Sequence, residues 1–168
     1  MYADLVQSAA ALLALLRDRK LRLVTAESCT GGLIAAILTE VPGSSDVVES
    51  GFVTYSNAAK TALLGVPEAV IARHGAVSQE VAVLMARGAL ARTPGDVAVA
   101  VTGVAGPGGG SAEKPVGLVH IAAARAGSAE LHKAELHREC RFGDGGRQTI
   151  RLETVAAAFA LIDELIRR

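Results

Sequence analysis

Ser28 is a candidate for covalent chemistry by its type and its place in the sequence. It sits in Ala26-Glu27-Ser28-Cys29-Thr30-Gly31-Gly32, between an apolar strand-like run and the helical stretch Leu33 to Val41. A serine ahead of a helix lies beside first-turn N–H groups that lack intrahelical partners, at the end of the dipole that favours developing negative charge. Gly31 and Gly32 carry no side chain to keep a carbonyl substrate from the backbone. The same geometry also suits plain capping of the helix by Ser28 or Thr30, so the loop alone leaves both readings open.

A serine hydroxyl needs a base to take its proton. His74, His120, His132 and His137 all fall outside the glycine-rich loops, and no G-x-S-x-G elbow is present, so a Ser-His-Asp arrangement has little support. Tyr55-Ser56-Asn57-Ala58-Ala59-Lys60 offers another base. With Asn57 as the cap, Lys60 falls in the first helical turn, where a cation is disfavoured by only about 0.3–1 kcal/mol. A lysine base would therefore also need burial in an apolar pocket. Tyr55, at a strand end, is placed to share or relay the proton, and the competing reading is a solvated lysine beside a core tyrosine.

Thr102-Gly103-Val104-Ala105-Gly106-Pro107-Gly108-Gly109-Gly110 could form an anion-binding nest. It lacks both the Lys-Ser/Thr ending of a P-loop and the G-x-G-x-x-G register, so it specifies neither ATP nor NAD. Arg147 and Arg151 lie four apart at the start of the last helix and could share one face as a phosphate clamp. Cys29 and Cys140 are too few for a disulfide framework, and no His, Cys or carboxylate spacing fits a metal site, so no metal is expected.

The elements that must carry these residues follow from periodicity and punctuation. Helices are expected over residues 3–19, 33–41, 58–64, a short piece opened by Pro67 and closed by Gly75, 79–92 capped by Ser78, and 147–167. Strands are expected from Leu21 to Ala26, Val47 to Tyr55, Val97 to Val101, Val116 to Ala124 and Ala129 to Arg141, the last with some helical character between Glu130 and Glu139. Val97-Ala98-Val99-Ala100-Val101 is apolar throughout, as a strand buried on both faces requires. Strands and helices interleave except for two successive late strands. This predicts an α/β fold, a three-layer α/β/α sandwich around a mixed sheet of about five to six strands, with ligands collecting at the carboxyl ends of central strands.

The chain has 168 residues, which fits a single domain, 1–168. Seventeen basic residues balance seventeen acidic ones, which removes the electrostatic footprint of a nucleic-acid binder. Five aromatic rings, Tyr2, Phe52, Tyr55, Phe142 and Phe159, are too few for a base-stacking platform. The run Ala9 to Leu16 lacks a basic n-region and is too short to span a bilayer. A cytoplasmic protein with free thiols and a small-molecule ligand is the expectation. The high apolar fraction and the faces of the first and last helices lean towards a homo-oligomer.

Taken in order, the Ala26 to Gly32 block, Tyr55-Ser56-Asn57 with Lys60, Gly75-Ala76-Val77-Ser78, Thr102 to Pro107 and Lys114-Pro115-Val116-Gly117 resemble the CinA carboxy-terminal domain family over nearly the whole chain. Its characterised members are nicotinamide-nucleotide amidases, or nicotinamide mononucleotide deamidases. The resemblance implies hydrolysis of the carboxamide of nicotinamide mononucleotide to nicotinic acid mononucleotide and ammonia, without metal or organic cofactor. It implies Ser28 as nucleophile, Lys60 with Tyr55 as proton carrier, and backbone N–H groups around Thr30 and Gly31 as oxyanion donors. Asn57, Thr102 and Gly103 would line the pocket and Arg147 would pair the phosphate. Family members often carry Phe-x-Gly-Asp-Arg before the last helix, whereas Phe142-Gly143-Asp144-Gly145-Gly146-Arg147 is one residue longer. Many also carry an amino-terminal molybdopterin-binding-like domain, whose activities are not transferred to what reads as a stand-alone amidase. A non-catalytic nucleotide-binding or interaction module of the same fold, or an amidase for a different amide, are the other functions this pattern would serve.

Overall fold

The alternation along the central strand sets the layers. In a computed structural model that describes residues 1–127 and 135–168, Val97, Val99 and Val101 face one hydrophobic cluster while Ala98 and Ala100 face another, and all five are fully buried. This is the period-2 consequence of covering a strand on both sides. The strands are β1 (Leu23–Glu27), β2 (Val48–Val53), β3 (Val97–Gly103), β4 (Leu118–Arg125) and β5 (Glu135–Arg141), in the order β2-β1-β3-β4-β5. β2, β1 and β3 run parallel, and β4 and β5 continue antiparallel. Among the described residues this is the expected three-layer α/β sandwich with a mixed sheet of five strands. The first part of the anticipated last strand, residues 129–134, which includes His132, lies outside the described residues.

The helices are α1 (Tyr2–Asp18), α2 (Leu33–Thr39), α3 (Asn57–Leu64), α4 (Glu68–His74), α5 (Gln79–Ala91) and α6 (Arg147–Arg167). α1, α2 and α6 cover the bulky face of the sheet, with Leu12, Leu16, Ile34, Ile37, Ile162 and Ile166 meeting the valines of β3. α3, α4 and α5 cover the other face, where the strands present Ala26, Ala98, Ala100, Ala122 and Ala124. The lack of aromatic rings is thus answered by short side chains that let α5 settle close to the sheet. Boundaries differ from expectation at two informative points. β4 starts at Leu118 because Gly117 takes φ +89 and turns the chain, and α3 is capped by Ser56, whose Oγ accepts the Ala59 N–H at 3.0 Å, rather than by Asn57. Ser56 holds the extended backbone that an N-cap needs, and Asn57 is already inside the helix.

α3 carries Lys60 and is seated against α5 by Gly88, where an added Cβ would stand 2.0 Å from the Leu64 carbonyl oxygen. Gly88→Ala therefore has to push α3 away, a strain of about 1–3 kcal/mol. That exceeds the roughly 1 kcal/mol gained by replacing glycine in a helix. The expected outcome is a lower melting temperature by thermal denaturation, and a stability equal to or above wild type would show that the contact is not tight.

Candidate active site

Three strand ends converge at the carboxyl edge of β1, β2 and β3. The Ser28 N–H donates to the Val101 carbonyl at 3.0 Å, and the Thr54 N–H donates to the Glu27 carbonyl at 2.9 Å, so the loops after β1 and β2 are tied to their neighbours. The chain then turns sharply: Gly31 N–H donates to the Ser28 carbonyl at 3.0 Å, and Gly31 and Gly32 take φ +59 and +97. Two successive left-handed residues strain any L side chain, which explains the glycine pair.

The Lys60 amine is the centre of the arrangement. Its side chain is 1% exposed, and Nζ lies 2.9 Å from Ser28 Oγ, 2.9 Å from the Thr54 carbonyl and 3.5 Å from the Tyr55 carbonyl. Burial lowers its pKa from the usual lysine range, against a smaller opposing effect of Cys29. A neutral amine has two N–H donors and one lone pair. The two carbonyls accept only, so in the neutral form they take the N–H groups and the lone pair is left for the Ser28 hydroxyl proton. The neighbouring Cys29 thiol is pushed up to about 12, chiefly by burial, and is no competitor as a nucleophile.

Ser28 opens into a cavity of about 280 Å³ whose walls include Cys29, Tyr55, Val77, Gly103 and Arg147. Arg147, exposed at the mouth, donates to the Gly106 carbonyl at 2.9 Å and to the Tyr55 hydroxyl at 2.6 Å. Arg151 does not reach this cavity. It donates to the Thr30 carbonyl at 2.6 Å, and its Nε is buried without a partner among the described residues. Of the two candidate clamps, only Arg147 faces the pocket.

Several expectations need correction. The first-turn N–H groups of α2 are not free: the fully buried Glu27 carboxylate accepts from Gly32 N at 3.1 Å, Ile34 N at 2.9 Å and Ala35 N at 2.9 Å, and from Thr30 Oγ1 at 2.6 Å. Glu27 is the cap, and neither Ser28 nor Thr30 is. Gly31 N–H is committed to Ser28, which leaves the N–H groups of Cys29 and Thr30 without acceptors among the described residues. Thr30 and Gly31 do not line the cavity, and Asn57 lines a separate hollow with Glu68 and Ile71. Thr102 Oγ1 donates to the Ala76 carbonyl at 2.8 Å, holding the segment that presents Val77. The Tyr55 hydroxyl bonds to Arg147, and only the Tyr55 carbonyl touches Lys60. His120 and His137 stack on each other, with Nδ1 and Nε2 2.9 Å apart, and are not part of the cavity wall. Glu27 went unassigned in the sequence, although a carboxylate ending a buried strand five residues before a Gly at a helix start was its signal.

The sequence profile of the CinA C-terminal domain matches residues 6–166. The chain belongs to the CinA C-terminal domain family. It is 49% identical to a CinA-like protein of Chlorobaculum tepidum over 148 residues, covering 88% of this chain and 35% of that one. It is 47% identical to a CinA-like protein of Geotalea uraniireducens over 154 residues, covering 92% and 34%. The chain thus spans about a third of the length of the curated relatives it matches. Among solved structures, the competence/damage inducible protein CihA from Agrobacterium tumefaciens superposes with a TM-score of 0.92 at 51% identity, covering 96% of this chain and 95% of that one. A CinA superfamily protein from Escherichia coli gives 0.87 at 35% identity, with 96% and 90% covered. No helix among the described residues is long and apolar enough to cross a membrane.

For this CinA-family domain, the burial of Lys60 has a measurable consequence. Its folded pKa lies below the unfolded value near 10.5, so within that window the unfolded chain holds a proton that the folded chain has released. This contribution to stability improves as pH rises through the window and is lost below it. Lys60→Met is expected to raise the melting temperature at pH 7 and by less at pH 10; an equal change at both pH values would contradict a depressed pKa.

Proposed function

We propose that the chain hydrolyses the carboxamide of nicotinamide mononucleotide to nicotinic acid mononucleotide and ammonia, with Ser28 as nucleophile and Lys60 as base. The observation that carries this reading is the buried amine 2.9 Å from the Ser28 hydroxyl, at the wall of a pocket with a guanidinium at its mouth. In the first step the Lys60 lone pair takes the Ser28 proton as Oγ bonds to the carboxamide carbon. The carbonyl π electrons move to oxygen, and the oxyanion is met by the N–H group of Cys29, which lines the cavity. Lys60 then returns the proton to the amide nitrogen, the C–N bond breaks, and ammonia leaves an acyl-Ser28. Water, deprotonated by the same amine, cleaves the ester and restores the hydroxyl.

The family resemblance supplies the substrate, and the pocket supports it. Arg147 uses two of its five N–H donors within the protein, leaving others for a phosphate. Tyr55 orients Arg147 through its hydroxyl, while the proton path runs through Lys60 alone.

Purified protein incubated with nicotinamide mononucleotide should release ammonia and the acid product. Ser28→Ala and Lys60→Met should each lose about 10²–10⁴-fold or more in kcat, whereas Tyr55→Phe should lose far less. Turnover retained by Ser28→Ala would remove the serine mechanism, and a Tyr55→Phe loss as large as that of Lys60→Met would restore tyrosine to the proton path. Arg147→Ala should lower kcat/KM for the mononucleotide but not for nicotinamide riboside. Equal losses for both would show that the guanidinium does not read the phosphate. Release of ammonia from some other amide alone would keep the chemistry and change the substrate.

A further inference from the structure

We infer that Glu27 is a positioning residue for the oxyanion site, acting through the Thr30 hydroxyl; this rests on the serine-nucleophile reading above. Glu27 touches neither the cavity nor Lys60, yet its carboxylate is fully buried and receives four donors. Two of them are first-turn N–H groups of α2 and a third is that of its N-cap residue, Gly32, and their capture removes the α2 terminus as an anion site. The fourth is Thr30.

Thr30 is gripped on every polar atom except its N–H. Its hydroxyl donates to Glu27 at 2.6 Å, and its carbonyl accepts from Arg151 at 2.6 Å and from Leu33 N–H at 3.2 Å. The Ser28–Cys29 peptide plane is fixed through Gly31, whose own peptide with Thr30 those bonds hold. Gly31 N–H holds the Ser28 carbonyl at 3.0 Å, and in a planar trans peptide the Cys29 N–H must point the opposite way. The N–H group of Cys29, a residue that lines the cavity, is therefore held by the bonds around it. It can meet a developing oxyanion without rearranging, as preorganised stabilisation requires. Gly31 serves this turn rather than the substrate.

The test separates this role from packing, using the full chain and two readouts. One is hydrolysis of nicotinamide mononucleotide. The other is the rate at which Ser28 displaces fluoride from phenylmethanesulfonyl fluoride, followed by intact mass. Thr30→Val keeps the volume and loses the hydroxyl; Thr30→Ser keeps the hydroxyl and loses the methyl. Thr30→Val should lower kcat and the labelling rate about 10-fold or more, a part of the 10²–10³ that a lost oxyanion donor removes. KM and the midpoint of the pH profile, which reports Lys60, should not move. Thr30→Ser should recover most of the rate, and Glu27→Gln, which keeps one acceptor oxygen for Thr30 but sets an amide N–H against the Ala35 N–H, should fall between wild type and Thr30→Val.

The reverse order, with Thr30→Val active and Thr30→Ser impaired, would make Thr30 a packing residue and overturn the inference. Labelling of wild-type Ser28 without ammonia release from the mononucleotide would remove the proposed substrate, and the labelling series alone would then decide the role of Glu27. Wild type that neither labels nor turns over would remove both.

Discussion

Taking the Lys60 amine out of water is the constraint on which the rest of this structure turns. An ammonium group loses its hydration on burial and, with two backbone carbonyls rather than a carboxylate for company, gains little in return, so the balance shifts towards the neutral base. That shift needs α3 pressed tightly onto α5. The alanine face of β1, β3 and β4, the approach of Gly88 to Leu64 and the Ser56 cap all serve to bring Nζ to the end of β1 without admitting solvent. The carbonyl that receives Nζ is itself placed by sheet geometry, because Thr54 extends the β1–β2 ladder by one bond.

The layers were legible because burial imposes periods. Val97 to Val101 could only be a covered central strand, and the interleaving of strand and helix patterns left few architectures to consider. The proximity of Ser28 and Lys60 was foreshadowed by loops that follow strand ends, but Lys60's burial was not, since nothing within an eight-residue helix marks which face a neighbouring helix covers. Ser56 and Asn57 are both good caps, and only the backbone angles at Ser56 distinguish them. Arg147 and Arg151, one turn apart, read as a pair on one helix face. In three dimensions a single turn separates the mouth of the pocket from the back of the Thr30 turn, so the two guanidinium groups do different work.

Glu27 escaped notice for a related reason. A carboxylate at the end of an apolar strand reads as the point where the strand meets solvent, and its partners become visible only when the following seven or eight residues fold back over it. Its place in the structure also changes how the helix terminus is understood. The general expectation that a helix N-terminus attracts anions holds here, but the anion is the protein's own side chain.

In the proposed reaction, charge stabilisation at Ser28 falls to the turn and not to the helix. A helix dipole acts over its first turn on whatever anion is nearest, substrate or side chain, whereas an N–H group fixed by surrounding bonds acts on one position in space. Giving the dipole to Glu27 costs the site a diffuse attraction and returns a rigid turn with the Cys29 N–H free beside Ser28. Arg151, half-buried against the Thr30 carbonyl, completes that turn from behind, while Arg147 keeps donors free at the surface. The division follows from depth alone: a guanidinium whose Nε is sealed can only hold the fold in place, and one at a cavity mouth can exchange its partners for a ligand.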